Sequence, residues 1–206
     1  MTGRLIVFEG GEGAGKTTQI QRSQPWLAQK IGKQGAVIPT REPGGTALGQ
    51  QLRTLLLHGD SIVERAELLL FAADRAQHID TVIRPALARG DWVLCDRFTD
   101  STWAYQGAGR GLDRGLIAQL NAIATGGLTP DLTLWLDVPV EVGLGRRSGR
   151  GDRIEAADRA FHERVRDGFA QLAAAEPERM VRIEATASVD QVQQQIQEAI
   201  AAKGFW

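Results

Sequence analysis

The sequence is poor in residues that support disulfides, membrane anchoring or a general attraction to nucleic acids. Cys95 is the only cysteine, so an intramolecular disulfide is excluded and a reducing cytoplasm is the expected location. No apolar run approaches the roughly 20 residues that cross a bilayer. The formal net charge of −1 gives no overall positive field. We therefore expect neither a membrane nor a nucleic acid as a partner.

The chain does contain a regular alternation of short apolar runs with longer amphipathic stretches. Five short runs are wholly or mostly apolar, as strands covered on both faces are: residues 5–8, 36–38, 92–95, 132–136 and 180–183. Helical patterns occupy residues 16–32, 46–57, 63–88, 100–125, 140–148, 155–175 and 188–202. This alternation predicts an α/β fold with a five-stranded parallel sheet flanked by helices on both faces. Without any repeat or linker, residues 1–206 are predicted to form one domain.

A glycine-rich segment between the first strand and the first helix predicts a phosphate-binding loop. Residues 10–17 match the pattern G-x-x-x-x-G-K-[ST] in the strand and helix context that it requires, which indicates binding of a nucleoside triphosphate without indicating its use. Glycines let successive N–H groups converge on phosphate oxygens at the positive end of the helix. Lys16 is expected to reach the β- and γ-phosphates and Thr17 to ligate Mg²⁺. The predicted ATP-binding residues are Gly10, Gly11, Glu12, Gly13, Ala14, Gly15, Lys16, Thr17 and Thr18.

Charged residues follow two other predicted strands. Ligands of open parallel sheets bind beyond the carboxyl ends of the strands, so Arg41, Asp96 and Arg97 are expected near the phosphate loop. Asp96 is placed to hold Mg²⁺ together with Thr17, and Arg97 offers a guanidinium fork to an acceptor phosphate. Arg41 taken alone is equally consistent with a surface turn.

Two further patterns leave a structural and a functional interpretation open. Phe71 and Arg75 are four residues apart on one helix face, where they could enclose a planar base, but a core phenylalanine beside a solvated arginine has the same spacing. Residues 143–155, called the lid segment below, interleave glycines with Arg146, Arg147, Arg150 and Arg153. Such a segment can close over phosphates, or it can be a solvated charged loop.

Seven stretches of the chain together resemble the thymidylate kinase family: FEGGEGAGKTT, TREPGGT, LRTLLL, FAADRAQH, DRFTDSTWAYQGAGRG, PDLTLWLDV and RRSGRGDRIE. They extend from residue 8 to residue 155 in the family's order, whereas residues after about 160 match only as generic helix, strand and helix. The resemblance implies a P-loop kinase fold and phosphoryl transfer from ATP to dTMP, giving ADP and dTDP for dTTP biosynthesis. It also implies Mg²⁺ as cofactor and a homodimeric protein.

The resemblance assigns roles to individual residues. Phe71 would stack on thymine, Arg75 would bond its O4 edge, and Tyr105 would lie under the sugar and disfavour a 2′-hydroxyl. The implied acceptor-binding residues are Glu12, Arg41, Arg53, Phe71, Arg75, Arg97, Thr102, Tyr105 and Gln106. The implied catalytic residues are Lys16, Asp96, Arg97, Arg146, Arg150 and Arg153. In this family a catalytic arginine lies either in the phosphate loop or in the lid, and since Gly13 occupies the loop position here, the lid must supply it.

Three other functions compete with this interpretation. A deoxynucleoside kinase of the same fold would accept a neutral hydroxyl, so it would need a carboxylate base and would have less use for Arg41 and Arg97. A GTP-binding switch would need a guanine-reading N-K-x-D segment, and the sequence contains none. A nucleotide-binding module without catalysis would leave the lid arginines without a purpose.

Overall fold

The computed structural model describes residues 3–146, 152–154 and 157–205, and within them five strands form one parallel sheet. The strands are β1 Arg4–Glu9, β2 Val37–Arg41, β3 Trp92–Asp96, β4 Leu132–Asp137 and β5 Met180–Glu184. Their order across the sheet is β2-β3-β1-β4-β5, so β1 is central. In register, Val7 of β1 lies between Cys95 of β3 and Thr133 of β4. The predicted α/β class and five-stranded parallel sheet are confirmed.

Helices cover both faces of this sheet. They are α1 Lys16–Ile31, α2 Ala47–His58, α3 Glu64–His78, α4 Arg84–Ala88, α5 Thr99–Thr102, α6 Arg114–Thr125, α7 Val140–Gly145, α8 Arg159–Ala175 and α9 Val189–Ala202. A π-helical turn, Ile79–Ile83, joins α3 to α4, so the predicted helix over 63–88 is nearly continuous. Pro85 lies directly after this π-helical turn, whose wider backbone accommodates a residue that cannot donate a helical hydrogen bond.

Alternate residues of β1 enter two separate apolar clusters. Ile6 and Phe8 pack in a cluster that includes buried residues of α1 and α9. Leu5 and Val7 point to the opposite face, where they pack in a cluster with Ile79 of the π-helical turn. All four side chains are fully buried. A strand buried on both faces has no need of polar alternation, which explains the continuous apolar run in the sequence.

The predicted helix over 100–125 is divided into two parts. A short helix, α5, continues as the π-helical segment Trp103–Gly109, and α6 begins only at Arg114. Gly111 has a left-handed φ of 77°, and the Asp113 side chain caps α6 by accepting a hydrogen bond from the Leu116 N–H at 2.8 Å. Apolar periodicity on both sides of this break conceals the cap residue, so the sequence prediction missed it.

The topology brings the predicted functional segments to one edge of the sheet. The phosphate loop follows β1, Arg41 ends β2, and Asp96 and Arg97 end and follow β3. Because parallel strands end at the same edge, these segments become neighbours although they are up to 87 positions apart. No helix within the described ranges is long and apolar enough to span a membrane.

Candidate active site

The phosphate loop is an open turn of backbone held in place by its own lysine. Gly10, Gly13 and Gly15 have φ values of 139°, 66° and 90°, which favour glycine. The Lys16 ammonium donates to the carbonyls of Gly10 and Gly11, both at 3.0 Å. Burial, with a contribution from the nearby Arg97 guanidinium, lowers the pKa of Lys16. The loop is therefore preformed around a positive charge at the N-terminus of α1.

Close packing explains the glycine at position 13. A Cβ atom there would lie 2.0 Å from the carbonyl oxygen of Gly143 in α7, far inside van der Waals contact. A Cβ on Gly143 would in turn lie 2.3 Å from the Glu12 carbonyl oxygen. The phosphate loop and α7, which leads into the lid segment, consequently meet backbone to backbone.

The two residues predicted to hold Mg²⁺ lie beside each other at the entrance to this loop. The Thr17 hydroxyl donates to Asp96 Oδ2 across 3.5 Å. The other oxygen, Asp96 Oδ1, is buried and has no hydrogen-bond partner among the described residues. A hydroxyl and an unsatisfied carboxylate oxygen fit the oxygen ligands that Mg²⁺ prefers.

A cleft of about 690 Å³ opens over the phosphate loop. The loop residues Glu12 to Thr18 form its floor, and Arg41, Arg53, Asp96, Arg97 and Arg146 lie around it. Its far wall consists of Ala185, Ala187, Ser188 and Val189 at the start of α9. The cleft therefore joins a phosphate-binding end to a less charged end, as a nucleoside triphosphate requires.

A second, smaller cavity of about 110 Å³ lies next to the cleft. Besides Glu12, five residues predicted to lie at the base or the sugar line it: Phe71, Arg75, Thr102, Tyr105 and Gln106. Phe71 and Arg75 come from one face of α3, whereas the other three come from α5 and the π-helical segment that follows. The structure thus supports the functional interpretation of the Phe71–Arg75 spacing.

Arg75 is fixed in this cavity by an unusually complete set of partners. Its Nε donates to Glu42 Oε2 at 2.8 Å, and NH1 donates to Thr102 Oγ1 and Asn121 Oδ1, both at 2.9 Å. NH2 donates to the Phe98 carbonyl at 2.9 Å. A guanidinium has five N–H donors, so among the described residues one donor on NH2 stays available to a ligand. Arg75, which lines the cavity, can therefore offer a single hydrogen bond from a side chain that its other contacts hold in place.

Arg97 and Glu12 form the boundary between the cleft and the cavity, since both residues line both spaces. Arg97 NH2 contacts Glu12 Oε1 at 2.6 Å, and the Tyr105 hydroxyl donates to the same oxygen at 2.8 Å. Burial opposes ionisation of Glu12, but Arg97 and Lys16 outweigh it and lower the pKa of Glu12 to about 2. Glu12 is thus an anion that orients both a guanidinium and a phenol.

Two more predicted phosphate ligands lie at the same boundary. Arg53 lines both spaces, and its NH1 donates to the Pro43 carbonyl at 3.1 Å. Arg41 is exposed and lines the cleft. Together with Arg97 they place three guanidinium groups around the junction, which is an arrangement suited to a phosphate monoester.

Comparison with known proteins agrees with this geometry. The family model described as thymidylate kinase matches residues 8–196. The chain belongs to the thymidylate kinase family. It is 60% identical to the thymidylate kinase of Synechococcus sp. (strain JA-2-3B'a(2-13)), over 91% of this chain and 89% of that protein. It is 55% identical to the thymidylate kinase of Cyanothece sp. (strain PCC 7425 / ATCC 29141), over 98% of this chain and 95% of that protein.

A solved member of the thymidylate kinase family has the same fold. The crystal structure of thymidylate kinase from Ehrlichia chaffeensis superposes with a TM-score of 0.83 at 35% sequence identity. The alignment covers 97% of this chain and all of the other. The likeness therefore extends through α8, β5 and α9, where the sequence motifs gave only a generic match.

The lid arginines of this thymidylate kinase family member have separate positions. Arg146 lines the cleft and donates from NH1 to the Ala185 carbonyl at 2.9 Å. Arg153 contacts Glu67 Oε2 at 2.6 Å and the Leu56 carbonyl at 3.0 Å, so its side chain is engaged beside the acceptor cavity. These contacts do not support a position for Arg153 at the transferred phosphate. Arg147 and Arg150 lie outside the described residues.

Three buried carboxylates support the site, and sequence reasoning missed them. Glu42 holds Arg75 and also pairs with His78 Nδ1 at 2.9 Å. Glu67 accepts from Gln106 Nε2 at 2.8 Å. Glu9, at the end of β1, accepts from the N–H groups of Phe98 and Ser101 and from the Ser101 hydroxyl. Glu9 and Glu42 lie inside quoted motifs, but no local pattern links any of the three to its partners.

Proposed function

We propose that this chain transfers the terminal phosphoryl group of ATP to the phosphate of dTMP, giving ADP and dTDP. ATP occupies the cleft over the phosphate loop, and dTMP occupies the smaller cavity with its phosphate at the junction. The observation that carries the proposal is that Arg97 and Glu12 line both spaces. Two nucleotides bound in this way meet end to end at the Arg97 guanidinium.

The cavity supports a pyrimidine monophosphate as the acceptor. Its volume of about 110 Å³ and its placement between Phe71 and the Tyr105–Gln106 segment suit a single flat ring. Phe71 stacks on the base, the free donor of Arg75 bonds O4, and Thr102 and Gln106 flank the base. Tyr105 lies under the sugar, while Glu12 contacts the 3′-hydroxyl.

Charge neutralisation and alignment supply the catalysis. The second pKa of a phosphate monoester is about 6, so the attacking oxygen of dTMP is already ionised at neutral pH and needs no general base. Lys16 binds the β- and γ-phosphates, and Arg97, Arg41 and Arg53 hold the acceptor phosphate in line with them. Lys16 and Arg97 are fixed before substrate binds, because both contact the loop carbonyls and Arg97 also contacts Glu12.

Mg²⁺ is the cofactor that we propose for the donor side. Thr17 and Asp96 would hold the ion, which would neutralise charge on the bound phosphates. Asp96 Oδ1 is buried and has no hydrogen-bond partner among the described residues, which supports this assignment.

For the lid we propose that Arg146 and Arg150 approach the donor nucleotide and the transferred phosphoryl group. Arg146 already lines the donor cleft. An arginine on the transferred group can contribute roughly 10³ to 10⁵ in rate. Arg153 takes no part in this step, because Glu67 and the Leu56 carbonyl engage its side chain.

ADP release from ATP tests the acceptor. The purified chain is supplied with Mg²⁺ and, in turn, with dTMP, thymidine, AMP or no acceptor. We expect rapid ADP formation with dTMP and little with the others. Faster reaction with thymidine would favour the deoxynucleoside kinase, and a preference for AMP or reaction without any acceptor would reject the proposed substrate.

We also propose that the chain forms a homodimer. Exposed apolar residues lie on three helices, α2, α3 and α6, of which α3 contacts both of the others. These residues are Leu48, Leu55, Leu69, Leu116 and Ile123. Large apolar side chains left exposed on neighbouring helices are typical of an interaction site. Sedimentation equilibrium should give twice the chain mass of 22.4 kDa, and Leu55→Lys with Ile123→Lys should give the monomer mass.

A further inference from the structure

The buried carboxylate of Glu67 lies behind the acceptor cavity and receives three donors. It accepts from Gln106 Nε2 at 2.8 Å, from Arg153 NH2 at 2.6 Å and from Arg110 NH2 at 3.3 Å. Its side chain is only 1% exposed. A buried carboxylate requires such charge compensation, because desolvation otherwise makes it costly. Two guanidinium groups and an amide therefore keep an anion at this position.

An anionic partner determines which end of the Gln106 side chain faces the cavity. A carboxylate can only accept hydrogen bonds, so the amide must present its NH₂ group to Glu67. The carbonyl oxygen Oε1 is then the remaining polar atom of a side chain that lines the cavity. None of the residues that the structure describes donates a hydrogen bond to this oxygen. The oxygen is also not fully buried.

We infer that Glu67 is a positioning residue that sets base specificity by holding the Gln106 amide with its carbonyl oxygen toward the acceptor. The inference rests on the proposed function. Beside the Thr102 hydroxyl, the cavity then offers the base an acceptor, Gln106 Oε1, and a donor, the free N–H of Arg75. A pyrimidine with a hydrogen on N3 and an oxygen on C4 complements both groups. A 4-amino pyrimidine, with a bare N3 and an amine on C4, opposes both.

Arg153 connects the same carboxylate to a segment that lines the cavity. Its backbone N–H donates to the Leu57 carbonyl at 3.0 Å, and its side chain joins the Leu56 carbonyl to Glu67. Its neighbours Asp152 and Ile154 line the cavity. Glu67 thus orients the amide on one side of the cavity and fastens residues 152–154 on another.

Substitution of Glu67 by glutamine tests the inference. Glutamine has nearly the same shape, but it can donate as well as accept, so Gln106 becomes free to turn its NH₂ group toward the base. We expect the ratio of kcat/KM for dTMP to that for dCMP to fall about tenfold to a hundredfold. Glu67→Asp retains an acceptor-only carboxylate and should keep the ratio within about threefold of the unsubstituted protein.

A matched control separates orientation from general damage. Asp131→Asn removes a carboxylate that pairs with Arg4 at 2.6 Å, at the opposite edge of the sheet. This variant should change kcat/KM for dTMP and kcat/KM for dCMP by the same factor, so the ratio of the two stays unaltered. A Glu67→Gln ratio equal to that of Asp131→Asn would overturn the inference, whereas failure of the unsubstituted protein to use dTMP would instead reject the proposed function.

A measurement on the unsubstituted protein covers the case in which Glu67→Gln does not fold. The side-chain NH₂ resonances of Gln106 are followed by NMR as dTMP is added. If NH₂ faces Glu67, its protons stay protected from exchange in both states, with only small shifts. Unprotected protons that become protected when dTMP binds would place NH₂ against the base and overturn the inference.

Discussion

Arg97 and Glu12 form an ion pair of 2.6 Å across the boundary between the two nucleotide spaces, although they lie 85 positions apart. Arg97 is also the one non-glycine residue among those described with a positive φ, at 69°. The left-handed conformation turns its side chain toward the phosphate loop, where NH1 donates to the Gly10 carbonyl at 3.1 Å. A costly backbone conformation is thus compensated by contacts that aim the guanidinium.

Replacing Arg97 by lysine should impair catalysis more than binding of ATP. Lysine keeps the charge but cannot contact Gly10, Ser101 and Glu12 together as the planar fork does. We expect kcat/KM for dTMP to fall at least about 100-fold in steady-state kinetics. Arg22→Lys, at a surface ion pair with Asp190, is the control and should leave it unchanged. Equal kinetics of the two variants would contradict the role of Arg97.

Removal of the Lys16 ammonium should abolish most of the chemistry. Lys16→Ala removes the cation that the loop carbonyls hold at the phosphate site. Single-turnover measurements should show a loss of on the order of 10³-fold or more in the transfer rate. Lys30→Ala, on the exposed last turn of the same helix, should transfer at the normal rate. Near-normal single-turnover chemistry in Lys16→Ala would refute this assignment.

The motifs allowed the sheet, the phosphate loop and several residues that line the smaller cavity to be predicted from the sequence. Apolar runs identify β1, β3 and β4 because these strands are buried on both faces and need no polar positions. The edge strands β2 and β5 are only partly buried, and shorter or interrupted apolar runs still located them. The i, i+4 spacing of Phe71 and Arg75 holds on any helix, and so it predicts a shared face correctly.

Contacts between distant segments could not be predicted. Glu67 lies on α3, and Gln106 is 39 positions away. Nothing in the local pattern around Glu67 distinguishes it from a solvated helical glutamate, which is the usual interpretation. The contact between Arg153 and Glu67 could not be predicted for the same reason. The sequence shows four lid arginines but gives no sign that a buried carboxylate binds one of them.

The close approach of Gly13 to Gly143 predicts a specific intolerance in the phosphate loop. Gly13→Ala adds a Cβ that would lie 2.0 Å from a backbone carbonyl, at a positive φ. We expect a loss of roughly 2 kcal/mol or more in the free energy of unfolding, measured by urea titration. Gly11→Ala is the matched control, because nothing lies within 4 Å of its added Cβ. Equal stability of the two variants would show that α7 does not press on the loop.

The buried Glu9 predicts a pH-dependent stability. Burial, aided by the charge of Asp100, raises the pKa of Glu9 from 4.5 to about 7, against the opposing effect of Arg97 and its hydrogen-bond donors. Between pH 4.5 and about pH 7, Glu9 has released its proton in the unfolded chain but retains it in the folded chain. This contribution to stability is therefore complete below pH 4.5 and is lost as the pH rises to 7.

Comparison with Glu9→Gln isolates that effect. The free energy of unfolding of the unsubstituted protein, minus that of Glu9→Gln, should fall by roughly 3 kcal/mol between pH 4 and pH 8. Urea titrations at intervals of one pH unit measure the difference. Parallel pH profiles of the two proteins would mean that the Glu9 carboxyl ionises with an ordinary pKa.

Transfer of the terminal phosphoryl group itself is the most direct test of the two-nucleotide site. The chain is mixed with Mg²⁺, dTMP and ATP labelled with ³²P in the γ-phosphate, and the products of one turnover are separated. The arrangement around Arg97 predicts one equivalent of label in dTDP for each ADP formed. Label released as inorganic phosphate, or ADP formed without labelled dTDP, would contradict it.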